Sequence, residues 1–121
     1  MSKKHSLIKS FGYAFKGIGI AFKNEPNFKI QITIALIVLF LAVVFRFSAL
    51  EMAILMLTAG FVLILELINT TIEALVDLVS EEIKPKAMIA KDVSAAAVLT
   101  SAILAVFIGI LLFLPKILKL L

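Results

Sequence analysis

Leu7, Phe11, Phe15, Ile18 and Phe22 recur at three- and four-residue intervals, while Lys9, Lys16 and Lys23 recur every seven residues on another face. That periodicity predicts an amphipathic helix over residues 6–24 with a basic polar side, suited to the headgroup plane of a membrane. The same pattern would serve a helix packed on a partner; the apolar runs that follow favour the membrane surface. Residues 30–47 are apolar apart from Gln31, Thr33 and Arg46. A second run starts at Met52, stays apolar to Leu65 and continues to Val79 with polar residues on one side. A third covers 93–114 and meets Pro115, where a helix is expected to end. Each run is near the ~20 residues that span ~30 Å of hydrocarbon, so the pattern predicts three transmembrane helices, 30–47, 52–79 and 93–114. The expected fold class is an all-α membrane protein forming a single domain over residues 1–121.

The polar side of the second run is the anomaly. At 100° per residue, Glu66, Asn69, Thr70, Glu73 and Asp77 fall within an arc of roughly 100° and form one stripe. A carboxylate at bilayer depth costs about 2.5–3.5 kcal/mol on insertion scales, so it is retained mainly for function. The stripe is the candidate site.

Composition sharpens the membrane reading. Of 121 residues 63% are apolar, against the roughly 45–50% of soluble domains, and so small a chain has no core able to hide the excess. Lipid must cover it. The absence of cysteine excludes disulfides and thiolate metal sites. A net charge of +4 is too small to suggest a nucleic-acid partner, and none is expected. No cleavable signal peptide is expected either, since the first apolar run begins only near Ile30.

The distribution of charge sets an orientation. With the N-terminus in the cytoplasm, that side receives Lys3, Lys4, Lys9, Lys16, Lys23, Lys29, Lys84, Lys86 and Lys91. The other side keeps Arg46, Lys116 and Lys119. Nine against three predicts a multi-pass protein with its N-terminus in the cytoplasm and its C-terminus on the other side. Rising 1.5 Å per residue from Met52, Glu66 then lies about 21 Å in, within ~9 Å of the cytoplasmic face. The stripe runs from the lipid edge into water, where a lipid headgroup meets a soluble reactant. An ion path would place carboxylates nearer the midplane, so a non-enzymatic channel or transporter is the less favoured alternative.

Several chemistries are excluded. Neither a P-loop nor a G-x-G-x-x-G turn is present, and no Ser/His/Asp set exists because the only histidine is His5, expected to be functionally silent. What remains is oxygen-rich: Glu25, Glu66, Asn69, Glu73, Asp77 and Asp92, with Lys91 beside them. Mg²⁺ prefers one or two carboxylates completed by substrate phosphates. Carboxylates for metal, a lysine for phosphate and a further carboxylate able to accept a hydroxyl proton are the parts of phosphoryl transfer.

The order Glu66-x-x-Asn69-x-x-x-Glu73-x-x-x-Asp77, followed by Ala90-Lys91-Asp92 and an alanine-rich third run, resembles the small prokaryotic lipid kinases, diacylglycerol kinase and its undecaprenol kinase relatives. Gly12-Tyr13-Ala14-Phe15-Lys16-Gly17, Asn24-Glu25-Pro26-Asn27-Phe28 and Phe113-Leu114-Pro115 extend the likeness over about Ile8 to Pro115. The resemblance implies a membrane homotrimer that transfers the γ-phosphate of MgATP to a lipid hydroxyl. It further implies Glu66 as catalytic base, Glu25 and Glu73 as metal ligands, and Tyr13, Asn69, Asp77, Lys91 and Asp92 at the nucleotide and phosphates. Glu66 and Asn69 would also meet the lipid substrate. Glu66 is the deepest carboxylate, which independently favours it as the base, while Glu73 lies two turns nearer water. The chain departs from some members at Ser6, where they carry arginine, and in the loop between Val79 and Ala90, so adenine contacts there stay open. Asp77-Leu78-Val79-Ser80 and the Phe-Leu-Pro ending favour undecaprenol over diacylglycerol as acceptor. Ala97, Ser101, Ala105 and Gly109, spaced by four, suit a close helix contact between copies, or a helix that is merely rich in alanine.

Overall fold

The computed structural model describes residues 6–79, 81, 82 and 84–121. Expectations resting on Lys3, Lys4, His5 and Ser80 lie outside these residues. Among the described residues all regular structure is helical: α1 Leu7–Asn24, α2 Pro26–Val44, α3 Ala49–Val79 and α4 Pro85–Leu120. The last three are long and apolar enough to cross a membrane.

Local chemistry explains each boundary. Ser6 caps α1 by accepting from the Lys9 amide. One residue, Glu25, both ends α1 and starts α2. Its N–H donates to the Ala21 carbonyl at 2.8 Å, and its own carbonyl accepts from the amides of Phe28 and Lys29. Pro26 follows at the first helical position, where its missing N–H costs nothing. Helix α2 therefore begins four residues before Ile30, because the polar start of the helix carries no hydrophobic signature.

At the other end α2 stops at Val44, short of Phe47. Arg46 takes the left-handed conformation (φ 57°), the Phe47 amide reaches back to the Ala42 carbonyl and the Arg46 amide to that of Val43. This pair of bonds is a Schellman closure. Ser48 and Glu51 then open α3 as a capping box, with Ser48 N–H donating to Glu51 Oε1 (2.8 Å) and Glu51 N–H to Ser48 Oγ (3.1 Å).

Helix α4 differs most from expectation. It begins at Pro85, two turns before Val93, and runs through Pro115 to Leu120. Proline removes one amide donor, and in a long apolar helix the bonds on either side hold the remainder together.

Helices α3 and α4 lie antiparallel, with polar contacts near both ends. Lys91 Nζ meets Asp77 Oδ1 at 2.6 Å, and Lys116 Nζ meets Glu51 Oε1 at 3.0 Å. Phe113 packs against Phe45 and Phe47 beside the second pair, and the Lys116 ammonium lies over the Phe47 ring. Half of the buried positions are small (Ala21, Ala35, Ala42, Ser94 and Ser101, beside Phe28, Leu55, Val62, Glu66 and Asn69), which lets backbones approach closely. Of the small-residue ridge on α4, Ser101 is buried, Ala105 and Gly109 line a cavity and Ala97 is exposed, so part of it is used within the chain. Helix α1 buries only Ala21, and its Leu7, Phe11 and Phe15 are exposed.

Candidate active site

Three helix ends converge on the stripe. Helix α3 supplies Glu66, Asn69, Glu73 and Asp77 at successive turns, α4 supplies Lys91 and Ser94, and the α1–α2 corner supplies Glu25. Burial falls steadily along α3: Glu66 is 2% exposed, Asn69 8%, Glu73 half-buried and Asp77 exposed. Within the chain, the stripe thus passes from a buried end at Glu66 to an exposed end at Asp77.

The central contact is a chain of side-chain hydrogen bonds. Asn69 Nδ2 donates to Glu73 Oε1 at 2.9 Å, and Ser94 Oγ lies 2.6 Å from Asn69 Oδ1. The same hydroxyl is 2.9 Å from the Lys91 carbonyl, so its one proton is shared between two acceptors. Asn69 is held at both ends of its amide, and its orientation fixes one oxygen of Glu73. Thr70, on the edge of the stripe, spends its hydroxyl on the Glu66 carbonyl instead. It adds no free polar group.

Glu66 sits at the buried end of this chain. The side chain of Asn27, in the first turn of α2, hydrogen-bonds to its carboxylate, and the carboxylates of Glu25 and Glu73 both bear on it electrostatically. The backbone bonds of the α1–α2 corner place Glu25 there. Glu25, Glu66 and Glu73 thus bear on one another electrostatically. Carboxylates are the ligand type Mg²⁺ takes, a few sufficing where phosphates complete its shell. Among the described residues no three acids form a ready-made cage.

On the exposed side, Asp77 holds the Lys91 ammonium at 2.6 Å, both side chains being accessible to solvent. Asp92 lies beside Lys91 on the exposed side of α4, and Tyr13 stands on α1, 59% exposed. Lys84 and Lys86 line a shallow depression of about 390 Å³ at the start of α4. Two neighbours of the stripe carried no assigned role in the sequence: Ser94, three residues after Lys91, and Asn27, two after Glu25. Their spacing from charged residues was visible, but the partner each would meet on another helix was not.

Comparison with known proteins gives this arrangement a family. Residues 12–113 match the family described as prokaryotic diacylglycerol kinase. The chain belongs to that family. It is 42% identical over 116 residues to a diacylglycerol kinase of Synechocystis, covering 95% of this chain and 66% of the relative. An undecaprenol kinase of Bacillus subtilis is 39% identical over 110 residues, 91% of this chain and 89% of that protein. The diacylglycerol kinase of Escherichia coli K12 is 34% identical over 100 residues, 83% and 82% of the two chains. The chain is therefore a lipid kinase of a bacterial membrane. Its relatives carry two substrate names.

Proposed function

We propose that this lipid kinase transfers the γ-phosphate of ATP to the hydroxyl of a membrane lipid at the end of the bundle where Glu25, Glu66 and Glu73 meet. The observation that carries the reading is Glu66, a carboxylate 2% exposed yet joined through Asn27, Glu25 and Glu73 to the polar end of the site. A lipid hydroxyl arriving from the apolar side meets Glu66 first. Its proton passes to the Glu66 carboxylate as its oxygen bonds to the γ-phosphorus, the bridging bond to the β-phosphate breaks and ADP departs.

Glu25 and Glu73 would hold Mg²⁺, which supplies neutralisation of phosphate charge. Asn69 orients Glu73 and stands with Glu66 beside the lipid substrate. Lys91, kept extended by Asp77, is the cation for the transferring phosphate, and Asp77, Asp92 and Tyr13 belong to the nucleotide side. The proposed working form is a homotrimer of one-domain chains with the site at the cytoplasmic face of the inner membrane. Extensive exposed apolar surface on α2, α3 and α4 supports a membrane-embedded assembly.

The test is labelled γ-phosphate transfer in mixed micelles offering diacylglycerol and undecaprenol, with wild type and Glu66→Gln. Loss of a general base typically costs 10²–10⁴-fold, so the variant is expected to lose turnover by about that factor while still binding Mg²⁺-nucleotide. Near-normal phosphorylation by Glu66→Gln would remove the base assignment. Ion flux through liposomes with no labelled lipid would remove the kinase site altogether.

A further inference from the structure

The depression of about 390 Å³ where α3 ends and α4 begins lies away from the stripe. Leu75, on its α3 side, stands roughly 180° around that helix from Glu66. Lys86, on its α4 side, stands roughly 140° around that helix from Lys91. The depression therefore opens on the flank of the α3–α4 pair away from the Asp77–Lys91 contact.

Position along α3 sets its level in a bilayer. Glu51, in the first turn, is tied to Ser48 and Lys116 and marks one edge of the hydrocarbon. From there Leu75 lies about 36 Å and Val79 about 42 Å along the helix, past ~30 Å of hydrocarbon and within the headgroup layer. The lining is ordered along the same direction. Leu75 and Ala90 are its deeper part, and Lys84 and Lys86 stand level with the last turn of α3. Below Leu75 on the same flank, Ile72 and the exposed Ile68 continue the apolar surface toward the lipid tails.

Lys91 is engaged by Asp77, but among the described residues no ion pair engages Lys84 or Lys86. Two ammonium groups over an apolar floor suit an anion with hydrocarbon attached. The lining side chains include no carboxylate, hydroxyl or amide, so a nucleotide base or ribose would find nothing there to recognise it.

We propose that this depression holds the phosphate of an anionic glycerophospholipid of the surrounding bilayer, with one acyl chain running along α3 past Leu75. The phosphodiester lies at Lys84 and Lys86, and the glycerol rests on the apolar floor. This lipid is a bound neighbour and not the acceptor, because the site has no carboxylate to take a hydroxyl proton. Charge complementarity favours it over a second copy of the chain, whose apolar helix faces would leave both ammonium groups without a partner.

The test is photo-crosslinking of the full chain in phosphatidylcholine nanodiscs, using diazirine-bearing phosphatidylglycerol or phosphatidylcholine as probe and mapping the labelled peptides. The phosphatidylglycerol probe is expected to label residues 75–90 in preference to the phosphatidylcholine probe, and unlabelled phosphatidylglycerol to compete. Each interfacial lysine contributes about a fivefold factor toward anionic lipid, so Lys84→Gln/Lys86→Gln should weaken that competition about thirtyfold. Lys84→Arg/Lys86→Arg, which keeps both charges, should retain it, and both variants should phosphorylate lipid at the wild-type rate in phosphatidylcholine. Equal wild-type labelling by the two probes overturns the inference, and that comparison decides it even if the glutamine pair fails to fold. So does loss of labelling on Lys16→Gln/Lys23→Gln but not on Lys84→Gln/Lys86→Gln, which would assign the attraction to α1. A raised KM for ATP in the glutamine pair with labelling intact gives the lysines to the nucleotide, and a changed cross-linked oligomer size with labelling intact gives the flank to a second copy; either overturns it. The labelling needs no phosphoryl transfer, so failure of the Glu66 site reads separately.

Discussion

At the scale of single residues, the site depends on amide and hydroxyl groups that hold the acids in place. Ser94 is the clearest case. Its hydroxyl secures Asn69 Oδ1, which leaves Asn69 Nδ2 free to fix Glu73. Removing it leaves a buried amide oxygen unpaired, at a cost of about 1–3 kcal/mol. Ser94→Ala is therefore expected to lower thermal stability in detergent and to reduce kcat about tenfold, whereas Ser94→Thr, which keeps the hydroxyl, should preserve most of both. A Ser94→Ala enzyme with wild-type kcat would show that Asn69 needs no holding. The stripe itself was legible in the sequence because helical periodicity alone places Glu66, Asn69, Glu73 and Asp77 on one face. Ser94 and Asn27 were not, because each gains its meaning from a contact between helices that no local spacing encodes.

At the scale of elements, helix identity was readable from hydropathy and helix ends were not. Apolar runs mark where lipid is met, but α2 begins in the polar Pro26-Asn27 turn and α4 in Pro85-Lys86, stretches whose capping chemistry outweighs their polarity. Pro115 read as a stop because proline lacks an amide donor, yet the helix continues to Leu120. The α2–α3 turn carries a measurable cost. Arg46 occupies a left-handed position (φ 57°) at the residue after the α2 cap, where glycine is the unstrained choice. Arg46→Gly is expected to stabilise the fold by about 1 kcal/mol and raise Tm without altering kcat. Ser48→Ala, which breaks the capping box at the start of α3, should cost about 1 kcal/mol. Thermal unfolding of the two variants, each against wild type, checks the pair: opposite signs are expected, and a fall in both would mean that Arg46 contributes contacts beyond its backbone strain.

At the scale of the whole molecule, the arrangement places all of the clustered acids at one end of the bundle and an aromatic closure at the other. Glu25, Glu66, Glu73 and the Asp77–Lys91 pair mark the first end, and Phe45, Phe47, Phe113 and the Glu51–Lys116 pair mark the second. A kinase drawing on soluble nucleotide needs the first end in the cytoplasm, the side that the lysine distribution also assigns to it. Because the chain lacks cysteine, single substitutions report this orientation without background. Glu81→Cys, in the turn between α3 and α4, and Leu121→Cys, beyond α4, are exposed positions on opposite ends. A membrane-impermeant thiol reagent added to intact spheroplasts is expected to label Leu121→Cys and spare Glu81→Cys, and the pattern should reverse in inside-out vesicles. Labelling of Glu81→Cys from outside the cell would put the carboxylates on the wrong side of the membrane for ATP, and no assignment of residues within the site could then stand.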